Sequence, residues 1–521
     1  MLKILKNPYF LLSLILLSSL FLRLPAMSQP YWGDEILSLQ IAGHFQDNIS
    51  GLFQYLQAVE VHPPLYYLLL VAWTKLFGFS EAAVRSLSLI FGLATVALAY
   101  FLGKQMWQNT RAALFASFLA AILPMSIIFS VEARPYIIFS FFGLLCLYQL
   151  NAYLAKPHWR RLVYFSIFAL IGIHLHYSFF LILLPLSAWW LFKMIADRRR
   201  QDFIRFLAVL TFIFLGFYWW LPAMLYKISL GTYELMNLPR TLFPDRAVYF
   251  LESSLNQMIW TVKIRQIAPL EILAMALAKI VLAASLLHLF RKKNKERLPV
   301  FLELSFLIIT SLLIFLFSPA SENYVSIFEK HIFWLAILLA VIIAGVLADL
   351  KIKAAFAAMG ILAASLITFD AKILSAKNSF DADRAQKLVA EQINAGFLPG
   401  DIVIDNFSFD RSNLNYYLRP DISAEGFYPP QMLDWRSDAY ASRATIGFLE
   451  NEAQSRIWPV SSEALDLKMN YIIKQSQPRR IWLAYADYEN YGLKEWLEAN
   501  GWRHAIFSID RFSPLDLYVK R

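Results

Sequence analysis

Long apolar runs separated by polar turns make up most of this chain. They fall at roughly 8–26, 63–78, 83–104, 112–130, 135–154, 162–175, 177–195, 203–222, 268–290, 299–318, 330–349 and 354–370. A helix needs about 20 mostly apolar residues to cross a bilayer, with a range of about 17–25. The pattern predicts a polytopic α-helical membrane protein. Past about residue 375 the pattern changes. Segment 382–395 has helical periodicity, and Asp401-Ile402-Val403-Ile404-Asp405 and Arg480-Ile481-Trp482-Leu483-Ala484-Tyr485 read as strands. Segment 490–500 reads as a helix and 515–520 as a terminal strand. Two domains are expected: a transmembrane domain over 1–372 and an α/β domain over 373–521. No glycine-rich phosphate fingerprint follows a strand in the latter, so no nucleotide is assigned to it.

The run at 63–78 is short and opens on Pro63-Pro64. Whether it crosses decides the orientation of everything after it. Suppose the N-terminus, with Lys3 and Lys6, is cytoplasmic and 63–78 does not cross. Then Lys104 and Arg111, Lys156 with Arg160 and Arg161, Arg198-Arg199-Arg200, Arg291 to Arg297, and Lys351 with Lys353 all fall on the cytoplasmic side, as the positive-inside rule requires. If 63–78 crossed, nearly all of them would be outside. It therefore reads as a juxtamembrane or re-entrant helix. The same logic splits 162–195 into two short helices broken near His174-Leu175-His176-Tyr177. About eleven spans result, with the C-terminal domain extracytoplasmic. The first outer loop, 27–82, has no Lys or Arg between Arg23 and Lys75 and carries Asp34, Glu35, Asp47 and Glu60. Its remaining pattern suits one or two amphipathic helices on the outer leaflet. A second long outer loop covers 223–267.

Composition agrees with this picture. The chain is 58% hydrophobic, above the 45–50% typical of soluble domains. A net charge of +10 is of the sign that nucleic acid attracts, but basic cytoplasmic loops account for it, and no nucleic-acid partner is expected. The single Cys146 lies in an apolar run, which excludes a disulfide framework and a cysteine metal site. The first run, Ile4 to Leu24, lacks a convincing cleavage site and reads as a retained signal-anchor.

With that topology the unusual polar residues collect on one side. Asp34 and Glu35 follow the first span in Tyr31-Trp32-Gly33-Asp34-Glu35, and His62 opens the interfacial helix. Arg85 begins the next span. Glu132, Arg134 and Tyr136 sit in the tight turn Ser130-Val131-Glu132-Ala133-Arg134-Pro135-Tyr136. His174, His176 and Tyr177 mark the helix break, and Glu322, Glu329, Lys330 and His331 lie by the late span. Charge beside a membrane is costly unless it has a task. Cations can hold a phosphate leaving group, and a carboxylate can take a proton from an acceptor hydroxyl. Each residue also has a plainer reading. The Asp-Glu pair can be a solvated interfacial pair, Glu132 with Arg134 an ion pair closing a turn, Arg85 a snorkelling side chain and Lys330 a membrane anchor. His174 and His176 are two apart and do not share a helix face, so a metal site there is not expected.

These segments together resemble the GT-C glycosyltransferases, specifically glycosyltransferase family 39, the protein O-mannosyltransferases and lipid A aminoarabinose transferases. Asp34-Glu35, His62-Pro63-Pro64-Leu65-Tyr66-Tyr67, Arg85-Ser86-Leu87-Ser88 with Gly92, the turn at 130–136 and His174-Leu175-His176-Tyr177 carry the resemblance, over roughly residues 1–350. It implies a GT-C fold and a polyprenyl-phosphate-linked sugar donor. It also implies inverting transfer to a hydroxyl acceptor: a glycolipid, lipid A, a polysaccharide or a protein. Asp34 matches the family's acidic residue in the first loop, the expected base, and Glu132 a second acidic position. Glu35, His62, Arg85, Arg134, Tyr136, His176, Tyr177 and Lys330 become donor phosphate and sugar contacts. The position of His62 is often Lys in the aminoarabinose branch, and an Arg-Tyr pair common near the late span reads Lys330-His331 here, which keeps charge but not bidentate geometry. Some GT-C enzymes use a divalent metal. No extra carboxylate cluster calls for one here, so neither metal nor cofactor is expected.

The expected function is a glycosyltransferase at the outer face of the cytoplasmic membrane. One rival is a transporter or flippase for lipid-linked glycans, but those keep ionisable residues near the midplane and show repeated halves. Neither feature is seen here. A non-catalytic scaffold presenting the C-terminal domain would not need the converging polar set.

Overall fold

The computed structural model describes residues 7–58, 60, 62–229, 272–273, 275–280, 283, 297–317, 329–375, 381–405, 414–422, 424–426, 462–484, 492–506 and 515–520. The chain forms two compact units. The first comprises Met1–Ser28, Phe45–Asp47 and Val61–Ser375; the second comprises Gln29–His44, Asn48–Glu60 and Ala376–Arg521. The outer-loop helices thus group with the C-terminal region, whereas the sequence put them with the transmembrane domain.

The first unit is helical. Its helices are α1 (Pro8–Met27), α4 (Leu65–Phe77), α5 (Glu81–Trp107), α6 (Thr110–Ile122), α7 (Pro124–Ser130), α8 (Tyr136–Ala155), α9 (Trp159–Leu175), α10 (Phe180–Ala196), α11 (Arg200–Tyr218), α12 (Leu221–Ser229), α13 (Leu298–Phe317), α14 (Glu329–Ala348) and α15 (Ile352–Ser375). Among the described residues, six helices are long and apolar enough to cross a membrane, or seven if the bent pair α6–α7 is one span. This is fewer than the about eleven expected from run length. The run at 268–290 lies mostly outside the described residues, and 162–175 forms a helix of only 17 residues, α9. α4, with 13 residues, is too short to span, as its length in the sequence suggested. Of the second outer loop, only the start is described, as part of α12.

The run at 112–130 is not one straight helix. α6 and α7 meet at 61°. Pro124 lacks an amide hydrogen, and the residue before a proline is pushed out of the helical region. Leu123 accordingly has φ −67° and ψ 125°. Backbone carbonyls released in an apolar setting must find donors. The buried Arg23 of α1 supplies one: its Nη1 donates to Ala121 O at 3.0 Å and its Nη2 to Ser126 Oγ at 2.9 Å.

α14 is apolar all round and almost wholly buried, as such a composition demands. It packs against α5, α6, α8, α13 and α15. Its C-terminal end is fixed by polar contacts. Trp107 Nε1 donates to Val341 O at 2.8 Å, and Arg111 Nη1 to Ala348 O and Leu350 O at 3.3 and 3.2 Å. Arg297 pairs with Asp349 at 3.0 Å. Gly345 leaves the space that the Trp107 ring occupies. The opposite end carries Lys330 and His331.

The second unit holds α2 (Gly33–His44), α3 (Ile49–Ala58), α16 (Asp381–Gly396), β1 (Asp401–Asp405), α17 (Leu414–Tyr417), β2 (Ala424–Gly426), α18 (Ser462–Ser476), β3 (Arg480–Ala484), α19 (Leu493–Ala499), β4 (Trp502–Ile506) and β5 (Leu515–Lys520). The strands form one sheet in the order β2-β1-β3-β5-β4. β1 is parallel to β2 and β3, and β5 is antiparallel to β3 and β4. Side chains alternate across the sheet, so Val403, Trp482 and Leu517 join Val389 and Ile393 of α16 in one core. Ile404, Ile481, Leu483 and Tyr518 join Met469 of α18 and Leu497 of α19 in another. α16, β1, β3, α19 and β5 lie where elements are expected at 382–395, 401–405, 480–485, 490–500 and 515–520, of which 485 and 490–491 fall outside the described residues; α18, β2 and β4 were not foreseen.

Candidate functional site

The break between α9 and α10 is the centre of the polar cluster in the first unit. α9 ends at Leu175. His176 then adopts extended backbone (φ −162°, ψ 136°), and Tyr177–Phe179 make a single 3₁₀ turn before α10. Gly172 permits this: the Phe179 ring occupies the space where a Cβ at Gly172 would lie. The His176 ring, 4% exposed, folds back over the turn, and its Nδ1 accepts the Ser178 backbone N–H at 3.0 Å. An imidazole nitrogen that accepts is unprotonated, so the neutral ring carries its proton on Nε2. That Nε2 is buried with no hydrogen-bond partner among the described residues.

Four elements bring polar rings and cations around His176. The His62 ring, ahead of α4, lies 5.1 Å from it, and the His331 ring of α14 5.4 Å. Phe139 stacks on it at 5.0 Å and Tyr136 tilts against it at 5.7 Å. Arg134 and Lys330 both lie over the Tyr136 ring, at 5.7 and 5.5 Å, within range for cation–π attraction. Ser178 Oγ hydrogen-bonds His331 Nδ1 at 2.7 Å, tying the break to α14. Burial first, then the charges of His62, His331, Arg134 and Lys330, hold His176 well below the usual imidazole range. It is a neutral donor surrounded by cations. Among the described residues, no group of three His, Cys, Asp or Glu is arranged to hold a metal ion.

The structure therefore gathers His62, Arg134, Tyr136, His176 and Lys330 from the expected set. The Tyr177 hydroxyl accepts Trp220 Nε1–H at 2.8 Å. His174, two residues before His176, stacks on Trp219 at 5.6 Å. Arg85 is buried and donates to the carbonyls of Ala26 and Met27 at 3.1 and 3.4 Å, which closes the C-terminal end of α1. Glu132 is half-buried in the turn, where its carbonyl accepts the Arg134 N–H at 2.8 Å. His331 and Ser178 complete the cluster. The sequence signalled His331 only through its place beside Lys330, and Ser178 not at all.

Asp34 and Glu35 belong to the second unit, in the first turn of α2. Glu35 is fully buried and its Oε2 accepts the Trp32 N–H at 3.1 Å, a capping contact that braces the helix start. Asp34 is half-buried, and its carbonyl accepts Ser38 Oγ–H at 2.9 Å. The strand of chain before it is tied to α17: the Tyr31 N–H donates to Tyr417 Oη at 2.8 Å, and Tyr31 meets Tyr416 edge-on at 5.9 Å.

Residues 61–221, which hold every member of the gathered set except Lys330, match the family model of dolichyl-phosphate-mannose-protein mannosyltransferases. Over 97% of both chains, the structure resembles ArnT from Cupriavidus metallidurans in the apo state, with TM-score 0.60 and 12% identity. The same protein bound to undecaprenyl phosphate matches with TM-score 0.59 and 14% identity, again over 97% of each chain. The chain has the GT-C fold. It resembles glycosyltransferase family 39. Archaeal oligosaccharyltransferase AglB from Archaeoglobus fulgidus, solved with an inhibitory peptide and a dolichol-phosphate, aligns with TM-score 0.46 and 12% identity, over 99% of this chain and 74% of that one. No curated protein sequence matches the chain.

Proposed function

We propose that this GT-C chain is an inverting glycosyltransferase. It moves a sugar from a polyprenyl-phosphate-linked donor to a hydroxyl acceptor at the outer face of the cytoplasmic membrane. The observation that carries this is the buried cluster around His176: Arg134, Lys330 and two further imidazoles surround an N–H that no protein acceptor among the described residues takes. Such a site suits a phosphate oxygen, because a buried donor needs an acceptor and the cations favour an anionic one. A protein of the same fold has been solved with undecaprenyl phosphate bound, which supports the donor class.

In the proposed reaction the acceptor oxygen attacks the sugar's anomeric carbon from the face opposite the phosphate. The carbon–oxygen bond to phosphate breaks, and its electron pair leaves with the lipid phosphate. Asp34 takes the proton of the acceptor hydroxyl, and Glu132 is a second carboxylate of the reaction. No metal is assigned a role. The acceptor is a glycolipid, a polysaccharide or a protein hydroxyl; the N-terminus is cytoplasmic and the C-terminal domain extracytoplasmic.

Asp34→Asn should abolish sugar transfer in membranes while the protein still folds and inserts. Turnover retained in that variant removes Asp34 as base. Comparative mass spectrometry of envelope lipids and glycans from a deletion strain identifies the sugar and acceptor. Cys146 is buried, so single cysteines report orientation cleanly. A cysteine at Gln40, exposed in α2, should react with an impermeant thiol reagent applied from outside, whereas one at Gln108, exposed after α5, should not. The reverse pattern would overturn the orientation.

A further inference from the structure

The proposed transfer changes the charge on the lipid phosphate. In the donor it is a diester with one negative charge. Once the sugar leaves it is a monoester with a second pKa of about 6, hence mostly dianionic at neutral pH. A buried site has to compensate that added charge, because unbalanced charge in a low dielectric is costly.

The cluster contains one group built to respond and one built not to. His176 is fixed. Protonating its Nδ1 would break the bond it accepts from the Ser178 N–H, so it stays a neutral donor through Nε2. His331 is different. Its Nδ1 partner is the Ser178 hydroxyl, 2.7 Å away, and a hydroxyl can donate or accept by rotating its hydrogen. Facing a neutral His331, Ser178 donates to Nδ1; facing a protonated one, it accepts. The bond survives either way. The charged and polar groups facing His331 are Lys330 beside it on α14, His62 ahead of α4, Arg134 and Tyr136 at the start of α8, and His176 and Ser178 in the break. Lys330 and Arg134 flank the Tyr136 ring that meets His331 edge-on, so an anion entering the cluster finds cations beside this imidazole.

We propose that His331 takes up a proton when the lipid phosphate becomes a monoester, with Ser178 as the rotating partner that lets it do so and His176 as the fixed N–H donor to the phosphate. This rests on the donor-phosphate reading above. His331 thereby stabilises the leaving group as its charge develops. The atoms balance: the acceptor proton goes to Asp34, the C–O electron pair to the phosphate, and the proton on His331 comes from solvent.

The test is calorimetric. The purified full-length protein in detergent is titrated with a short-chain polyprenyl monophosphate, and separately with its methyl phosphodiester, in two buffers of different ionisation heat. At about pH 7.5, uptake of about one proton is expected with the monoester and nearly none with the diester. From about pH 7 to 8.5 the monoester affinity should fall about tenfold per pH unit, and the diester affinity little. His331→Gln should abolish the uptake while the diester still binds, which also shows that the variant is folded. Ser178→Ala should reduce uptake in the same way. Monoester binding without uptake by the unaltered protein, or uptake that persists in His331→Gln, overturns the role of His331 alone. Failure of the unaltered protein to bind either lipid overturns the donor-phosphate reading itself.

Discussion

Asp401 is the point at which the C-terminal sheet can be tested most directly. It sits at the start of β1 with its side chain 1% exposed. One carboxylate oxygen accepts Arg480 Nε at 2.9 Å. The other accepts Arg480 Nη2 at 2.6 Å, the Leu398 N–H at 2.9 Å and Trp482 Nε1 at 3.0 Å. Arg480 Nη2 also reaches Gly396 O at 2.6 Å, so this carboxylate ties the end of α16 to β1 and β3. In Asp401→Asn, the amide oxygen can meet the three-donor side, but the NH₂ group then faces Arg480 Nε, donor against donor. Breaking a buried pair costs about 3–5 kcal/mol. Arg480, with 22% of its side chain exposed, can regain some water, so about 3 kcal/mol is expected at neutral pH.

Hydrogen exchange by mass spectrometry on the full-length protein reads this locally. At 1.36 kcal/mol per decade, β1 and β3 peptides of the variant should exchange roughly 150-fold faster, while α14 peptides keep the unaltered rate. The effect has a pH signature. Burial acts to raise the Asp401 carboxyl, but the Arg480, Leu398 and Trp482 hydrogen bonds outweigh it and leave the group below its usual range. A depressed folded-state value means that the stabilisation is full above the unfolded value, about 3.9, and is lost as pH falls through the folded one. The gap between the two proteins should therefore be constant from about pH 5 to 8 and close at lower pH. A change under tenfold at neutral pH, or a gap that does not narrow as the pH falls below the unfolded value, would refute this account of the carboxylate.

Two further outcomes follow from the helical unit. Gly172→Ala should gain about 1 kcal/mol of helix propensity but lose about 1–3 kcal/mol to overpacking against the buried Phe179 ring; because that ring closes the turn holding His176, binding of a polyprenyl monophosphate should weaken by more than the small drop in thermal midpoint suggests, and unchanged binding refutes the link. Arg23→Met should destabilise the detergent-purified protein by about 3 kcal/mol, since it leaves Ala121 O and the Ser126 hydroxyl unmet where α6 and α7 bend; an unaltered unfolding midpoint would show that the bend does not depend on Arg23.

The sequence was most informative where one residue type settles a local conformation. Basic turns and run lengths marked the helices, the short run after Pro63-Pro64 became α4, and the break at His174–Tyr177 is where α9 stops. The α6–α7 bend was written in Pro124 but hidden by the apolar residues on either side, which read as one run. Individual roles were harder to see. Arg85 has the charge for a phosphate contact, yet two of its hydrogen bonds go to α1 carbonyls. Glu35 braces the start of α2 through Trp32, a role its position in the first helical turn allowed but could not single out.

His331 shows why such a site is only half legible. His62, Arg134, His176 and Lys330 each stood out as charge or imidazole beside a helix end, and that much is local. Their assembly depends on where α14 lies, and α14 has no local feature that says so. It is held from its far end, by Arg297 and by Trp107 and Arg111, the last two more than 200 positions before their partners on it in the chain. Arg111 and Arg297 belong to basic turns whose visible task in the sequence was to set orientation. In the fold both also lock the helix that delivers Lys330 and His331 to the break. A single rigid helix of about 30 Å thereby couples the turns at one end to the imidazole cluster at the other.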